Sequence, residues 1–317
     1  MAEIRRPFLS QEPTYNRWAS LVFLFLSLST AAYGTGFWLF RDRGPTRVQH
    51  QKASSVLLQE AKSSDLVILV PHFATMAREF LGQLKPVATK KILNLDWSNK
   101  NNVWVYGLLG DGDRWKEEII KAGHQYKGRL YEQDGITIDH FMVRNPSKTR
   151  YSFRDSIKSA NVYYKMNASQ TEPCDRWSDN NYQGGVGFGR WSCRRDAEWF
   201  YVSPEWHRMG DHLELCLWAH PPNSGQLVIE FPNVPMTGAL IGHGGHTLNS
   251  SVHARAPIDM SVSLTGQDPQ VFHFALKDHY RRFALTTPTS GTATVTFSLS
   301  TIDAGANHFC FNAEMRQ

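Results

Sequence analysis

The chain has 317 residues, with 34 lysines and arginines against 29 aspartates and glutamates, and a net charge of +5 at pH 7. The charges are spread without runs, which excludes the concentrated basic footprint of a nucleic-acid-binding protein. The length exceeds what one domain of about 100–150 residues needs, so we predict an α+β protein with more than one domain.

The first predicted element is an apolar segment without a charged residue, at positions 18–40. About 20 apolar residues suffice to cross a bilayer as a helix, so the segment predicts one transmembrane helix, preceded by a cytoplasmic tail of residues 1–17. The alternative is a cleaved signal peptide, with small residues at Ala31 and Ala32 as its cleavage site. If the segment is a transmembrane helix, the protein is predicted to cross the inner (plasma) membrane once, with its body on the periplasmic or otherwise extracytoplasmic side.

A polar juxtamembrane linker is predicted at residues 41–64, and a small α/β domain at residues 65–150. Two apolar runs, at 65–71 and 102–109, have the composition of buried parallel strands. An alternating segment at 135–143 predicts a third strand at the edge of the sheet.

Helical spacing follows both buried strands, at residues 74–81 and 114–122. This alternation predicts a Rossmann-like arrangement. Neither strand leads into a GxGxxG loop or a P-loop, however, so no nucleotide is expected as a ligand.

The order of these elements carries a resemblance to a known family. A strand from Asp65 to Pro71, a helix, a strand containing Val103-Trp104-Val105, a second helix and a closing strand resemble the extracytoplasmic accessory domain of membrane glycosyltransferases that use lipid-linked donors. These are the transferases of the protein mannosyltransferase and aminoarabinose transferase kind. The resemblance covers residues 65–143. It implies an accessory domain without the catalytic core, because those enzymes carry their catalytic carboxylates between many membrane helices and one span is predicted here.

Residues 151–317 contain short segments of alternating apolar and polar residues, separated by Gly, Pro, Asn and Asp. Strands are predicted at 163–164, 198–202, 213–218, 226–231, 258–264, 271–276, 283–285, 292–299 and 308–312. Eight or nine short strands predict an antiparallel β-sandwich of the jelly-roll type, and this half of the chain resembles jelly-roll carbohydrate-binding domains.

All four cysteines lie in this half, and none has zinc-ligand spacing, which favours two disulfides formed in an oxidising compartment. Cys216 and Cys310 both fall on the opposite side of their strands from the apolar residues, so we predict that they pair. Cys174 and Cys193 would then close the glycine-rich loop at 184–189, which is otherwise costly to order.

Aromatic and arginine residues crowd around that loop. The predicted ligand- or partner-binding residues are Trp177, Tyr182, Arg190, Trp191, Arg194 and Trp206. Flat rings can stack on the faces of a sugar while guanidinium groups bond its hydroxyls, so a saccharide fits this set. A protein partner fits it as well, because Trp, Tyr and Arg dominate binding hot spots. For Trp177 and Trp191 core packing is the alternative, and for Trp199 and Trp218 it is the favoured interpretation.

His243 and His246 are candidate metal ligands, because the segment could bring two imidazoles together and histidine is the commonest metal ligand. No carboxylate or cysteine accompanies them at a familiar spacing, so a glycine-rich turn with solvated histidines is the favoured interpretation. Neither a metal nor an organic cofactor is expected. The sequence also lacks HExxH, GxSxG and a Cys/His nucleophile arrangement, so no catalytic residue is assigned.

The sequence thus predicts an extracytoplasmic, membrane-anchored binding protein, a glycan-binding accessory of cell-envelope polysaccharide or glycosyl-transfer machinery. Two alternatives stay open. One is a non-catalytic scaffold or assembly subunit of a larger membrane protein complex. The other is a glycoside hydrolase, since a pair of carboxylates near the aromatic cluster would suit that reaction.

Overall fold

The computed structural model describes residues 17–40, 44–72, 74–89, 95–167, 169–179, 189–193, 199–210 and 212–317. The chain divides into two compact units, Met1–Gly44 and Pro45–Gln317. In the first unit the structure describes one helix, α1 (Arg17–Phe40), and the predicted tail lies outside the described residues.

Helix α1 covers the segment for which the sequence predicts a transmembrane span. The hydroxyls of Ser27 and Thr30 in this helix bond to carbonyl groups one turn earlier. Within the described ranges, no helix combines the length and the apolar character needed to cross a membrane. The predicted span at residues 18–40 is therefore not supported.

The second unit begins with an α/β part built on a five-stranded sheet. Its elements are α2 (Arg47–Glu60), β1 (Leu66–Val70), β2 (Val87–Ala88), β3 (Asn102–Leu108), α3 (Asp111–Lys121), β4 (Gln125–Gln133) and β5 (Ile136–Met142). The strand order is β2-β1-β3-β5-β4, with β1 parallel to both β2 and β3 and the other pairs antiparallel.

Helices cover both faces of this sheet. Helix α2 starts at a capping box in which the Thr46 hydroxyl accepts from the Gln49 amide, and its Ala53 and Leu57 pack on one face. Helix α3 has two aspartates in its first turn. Their negative charges stabilise the helix, because the N-terminal end of the helix dipole is positive. Its Trp115 and Ile119 pack on the other face.

Three sequence predictions for the α/β part need correction. Strand β5 lies between β3 and β4 instead of at the edge. The edge strand β4 was missed because two irregularities in its pairing interrupt the period-two pattern. The predicted helix at 74–81 is a short 3-10 helix, Thr75–Glu79. The mixed sheet that results does not reproduce the predicted Rossmann-like order.

The rest of the unit is a sandwich of two antiparallel sheets. The strands are β6 (Thr149–Ser152), β7 (Asn161–Lys165), β8 (Thr171–Pro173), β9 (Arg176–Ser178), β10 (Arg190–Ser192), β11 (Tyr201–Met209), β12 (His212–Ala219), β13 (Gln226–Pro235), β14 (Ala239–His246), β15 (Ile258–Leu264), β16 (Gln270–Phe274), β17 (Arg281–Thr286), β18 (Thr292–Ser300) and β19 (Phe309–Arg316), with a short helix α4 (Leu248–His253) after β14.

Within the described ranges, one sheet has eight strands, in the order β17-β14-β19-β12-β11-β10-β9 with β6 also paired to β19, and the other has the order β16-β15-β18-β13-β7-β8. Their facing sides enclose one apolar core, in which Phe153, Phe231, Phe297, Phe309 and Phe311 are fully buried. The predicted β-sandwich is confirmed.

Strand β14 shows why the predicted glycine-rich turn at Gly242 to His246 is wrong. These residues all pair with β19, the first three of them also pair with β17, and the two histidines are 5% and 0% exposed. The glycines are there because neighbours approach the backbone closely: a Cβ on Gly242 would overlap the Phe283 ring, and one on Gly245 would overlap the Asp278 carbonyl. Glycine therefore marks close packing here.

The α/β part packs against the eight-stranded sheet, on the side turned away from the six-stranded sheet. We call that side the outer face. Arg316 of β19 bonds Asp96 and Ser98, and Asn99 donates to Glu314 at 3.3 Å. Polar side chains thus join the two parts within one compact unit.

Candidate functional site

The outer face carries its own set of buried side chains, because alternation along each strand sends every second residue there. On β12, Leu217 and Ala219 reach the sandwich core, whereas Cys216 and Trp218 belong to a separate outer cluster. Tyr201 and Met209 on β11 and Cys310 on β19 also belong to that cluster. The eight-stranded sheet is therefore packed on both sides.

Both predicted disulfides are present in the structure. Cys216 and Cys310 are bonded on the outer face, as the alternation of their strands predicts, and Cys174 is bonded to Cys193. The first links β12 to β19, which are neighbours in the sheet. The second closes a loop whose residues 180–188 lie outside the described part of the chain.

A cavity of about 450 Å³ opens on the outer face between β11, β12 and the start of α4. We call it the outer-face pocket. Its lining residues are Tyr201, Glu205, His207, Arg208, Trp218, Thr247, Leu248, Asn249 and His308. Cavities of roughly 300–1,000 Å³ are the usual size for small-molecule sites.

The polar centre of the pocket is a carboxylate–imidazole pair. Glu205 and His207 are two residues apart on β11, so they point to the same side, and the Glu205 carboxylate lies 2.8 Å from His207 Nε2. The carboxylate is only 3% exposed. The Tyr201 hydroxyl also bonds it, and burial together with the Glu205 charge raises the pKa of Tyr201, so the phenol keeps its proton and donates.

Aromatic rings form the floor beside this pair. The ring centroids of Tyr201 and Trp218 are 4.3 Å apart, and His308 lies 5.5 Å from Trp218 at a steep angle. Burial lowers the pKa of His308 and lowers that of His220, behind it, to about 4. Both imidazoles are therefore neutral at pH 7, and each offers one donor and one acceptor.

The pocket thus combines an apolar floor with hydrogen-bonding groups of both kinds. Glu205 accepts, Arg208 and Asn249 donate, and a neutral imidazole does either. Glu205 is the only carboxylate among the described lining residues. This arrangement suits a neutral ligand with several hydroxyl groups.

Two of the predicted binding residues pack on the inner side of the sheet. The Trp177 and Trp191 rings meet edge to face at 5.2 Å, partly buried against the sandwich core. Their indole N–H groups donate to Asp179 and to the Ile157 carbonyl. This geometry agrees with the core-packing alternative that the sequence left open.

The other predicted residues fall in three different places. The guanidinium of Arg190, on the outer side of β10, lies 5.1 Å from the centre of the Tyr201 ring and so borders the outer-face pocket. Trp206 is 46% exposed on β11. Tyr182 and Arg194 lie outside the described residues.

The candidate metal ligands are not brought together. His243 and His246 are three residues apart on β14, so they face opposite sides of the sheet. His243 stacks on Tyr280 at 4.9 Å on the outer face, and His246 meets Phe309 of the sandwich core. Across the described ranges, no group of three or more potential ligands is placed to hold a metal ion.

Sequence reasoning missed Glu205, His207, Tyr201 and Trp218 as one site. The usable signal was the alternation of Tyr201, Ser203, Glu205 and His207 along one strand, which places an aromatic ring and three polar groups on the same side. Trp218 could not be added from the sequence, because it faces Ser203 only through the β11–β12 register.

No protein-family model matches the chain, and no curated protein matches its sequence. The C-terminal CBM6 of LamC, a marine laminarinase from Zobellia galactanivorans, is a structural match at 8% identity, over 49% of this chain and 98% of that one, with a TM-score of 0.22. A second match is the CBM51 from Clostridium perfringens GH95 in complex with methyl-galactose, at 11% identity, over 48% of this chain and 99% of that one, with a TM-score of 0.27. Similarities with TM-scores this low support no conclusion about this chain.

Proposed function

We propose that the outer-face pocket binds a carbohydrate. The observation that carries the proposal is the Glu205–His207 pair, held at 2.8 Å beside the Tyr201 and Trp218 rings in a cavity of about 450 Å³. A sugar presents hydroxyl groups at its edge and C–H groups on its faces. The polar pair would bond the hydroxyls, while the edges of the rings would contact the apolar side.

Binding is favoured over hydrolysis. Glycoside hydrolysis needs two carboxyl groups about 5–9.5 Å apart on either side of the glycosidic bond. Of the described residues that line the pocket, Glu205 alone has a carboxyl group. Its bonds to His207 and Tyr201 suit a fixed acceptor that orients a ligand.

We propose an extracytoplasmic location as well, supported by the two disulfides, because such bonds persist in oxidising compartments. In that location the protein would serve as a glycan-binding accessory of cell-envelope polysaccharide or glycosyl-transfer machinery. Attachment to a membrane through residues 18–40 is not part of this proposal.

Calorimetric titration with a panel of neutral oligosaccharides tests the proposal. We expect His207→Ala and Glu205→Gln to weaken binding by about tenfold or more, since the first removes a partly buried imidazole from the ligand site and the second replaces the buried carboxylate by an uncharged, weaker acceptor. The chain contains a matched control: His273 and Asp259 form a similar imidazole–carboxylate pair at 2.7 Å on the six-stranded sheet. His273→Ala and Asp259→Asn should bind sugars as the unaltered protein does.

Two outcomes would count against the proposal. The first is the absence of binding to every sugar in the panel. The second is an equal loss of binding in the control variants. The scaffold alternative predicts instead that partner proteins co-purify in fixed stoichiometry and that Trp206→Ala, which removes an exposed ring, releases them.

A further inference from the structure

A second cavity, of about 570 Å³, lies where the α/β part meets the outer face. We call it the junction cavity. Residues of the α/β part line one side of it, including Asp96, Trp97 and Arg144, and residues of the sandwich line the other, including His243 and Arg282. It shares no lining residue with the outer-face pocket.

Positive charge dominates this cavity. Among the described lining residues there are three arginines and one carboxylate, Asp96. The carboxylate is already neutralised, because the Arg316 guanidinium bonds both of its oxygens. Any ligand in the cavity therefore meets an excess of positive charge.

Two of the three arginines have no competing ion-pair partner among the described residues. Arg281 is engaged, since its Nη1 donates to the His273 carbonyl at 2.7 Å and approaches Asp278 at 3.5 Å. Arg144 and Arg282, in contrast, form no ion pair with any described residue. Arg282 pairs with His243 across the β14–β17 ladder, so both side chains face outward into the same space.

Two uncharged imidazoles that can donate hydrogen bonds also line the cavity. Burial, with the nearby charges of Arg282 and Arg316, lowers the pKa of His243 to about 4 although Asp96 acts in the opposite direction. Burial also lowers the pKa of His124, which stacks on Trp97 at a centroid distance of 4.7 Å. Each neutral imidazole still has one N–H to donate to an oxyanion.

We propose that the junction cavity binds a phosphate or sulfate group carried on a larger molecule, with Arg144 and Arg282 as its charged contacts. Guanidinium groups form the strongest hydrogen bonds with oxyanions, often two at a time. The volume is many times the roughly 30 Å³ of a water molecule, so a free anion would leave most of the cavity unfilled. The Trp97 and Tyr280 side chains in the wall would contact the remainder of such a ligand.

Calorimetric titrations at low salt test this inference, with inorganic phosphate, inorganic sulfate, glucose 6-phosphate, glucose 6-sulfate and glucose as the probes. We expect the two sugar esters to bind more tightly than either free anion, and glucose not to bind in this cavity. Arg144→Gln and Arg282→Gln should each weaken ester binding by about tenfold, the effect of one lost charge-assisted hydrogen bond. Comparing the phosphate and sulfate arms decides which ester the site prefers.

Arg255→Gln is the matched control, because Arg255 is exposed and lines neither cavity. His207→Ala separates the two sites, since it alters only the outer-face pocket. Proton NMR of His243 gives an independent readout, because a bound anion should raise the pKa of that imidazole. The inference is overturned if no charged probe binds, or if Arg255→Gln weakens binding as much as Arg282→Gln does.

Discussion

Arg316 and Asp96 form a two-point ion pair across the boundary between the sandwich and the α/β part. Arg316 Nη1 donates to Asp96 Oδ1 at 3.1 Å, and Nη2 bonds Oδ2. The Arg316 side chain is 4% exposed and that of Asp96 is 19% exposed, so neither charge is well solvated. Glu314 shares the same guanidinium at 2.8 Å. Among the described residues, this contact joins the two parts through an arginine–carboxylate ion pair.

Removal of the guanidinium should be strongly destabilising. Arg316→Gln leaves the partly buried Asp96 and Glu314 carboxylates without their cation, and we expect a loss of about 3 kcal/mol in the free energy of unfolding. Urea denaturation at pH 7 measures it. Adding Asp96→Asn to Arg316→Gln should recover part of the loss, because the two residues interact directly. A loss below about 0.5 kcal/mol, as for an exposed pair, would show that the ion pair is solvated in solution.

The same pair predicts a loss of stability in acid. Burial acts to raise the pKa of Asp96, but the hydrogen bonds and charge of Arg316 outweigh it and lower the value from 3.8 to about 2. The stabilisation is therefore complete above pH 4 and disappears as the pH falls towards 2. We expect a pH-dependent contribution of about 2 kcal/mol. The stability difference between the unaltered protein and Asp96→Asn should shrink over this range, and a constant difference would contradict the assignment.

Glu214 should behave in the opposite way. Its burial raises the pKa of its carboxyl group above the usual 4.5, although His212 and the Tyr280 hydroxyl favour the charged form. Ionisation of Glu214 therefore costs free energy in the folded state, and that cost grows as the pH rises above 4.5. We expect Glu214→Gln to be as stable as the unaltered protein at pH 4 and more stable at pH 8. Thermal melts at the two pH values decide the point, and a less stable variant at pH 8 would contradict it.

The two disulfides should contribute unequally. The cysteines are 94 residues apart in Cys216–Cys310 and 19 apart in Cys174–Cys193. Closing the longer loop restricts the unfolded chain more, so we expect double serine variants to lose about 4.7 and about 3 kcal/mol respectively. Denaturant unfolding of the two variants compares them directly. Equal losses would show that native packing around the sulfurs outweighs the unfolded-state entropy.

Local patterns in the sequence were enough to predict the β-sandwich and the pairing of its cysteines. The alternation that turns Leu217 inward places Cys216 on the outer face, and the same reasoning applies to Phe309 and Cys310. Strand β14 was missed because its glycines resemble a turn. They are required by the approach of the Phe283 ring and of the backbone at Asp278, which are distant in sequence.

The site depended on information that one strand does not contain. Glu205 and His207 could be placed on the same side of β11 from their spacing, but the partners they meet are fixed by register, Glu205 opposite Cys216 and His207 opposite Glu214. The polar outer face of the sheet resembled an ordinary solvated face in the sequence. It is instead covered by α4 and by the α/β part, whose docking no local pattern predicts.

Strand β19 is the last described strand in the chain, yet it lies in the middle of its sheet, between β12 and β14. During synthesis, β12 and β14 therefore each have one unpaired edge until β19 has left the ribosome. The Cys216–Cys310 disulfide and the Asp96–Arg316 ion pair both include a residue of this strand. The disulfide, and the ion pair between the α/β part and the sandwich, can therefore form only after β19 has been synthesised. The eight-stranded sheet consequently closes only after translation has passed residue 316, because β19 joins its two halves, β17-β14 and β12-β11-β10-β9.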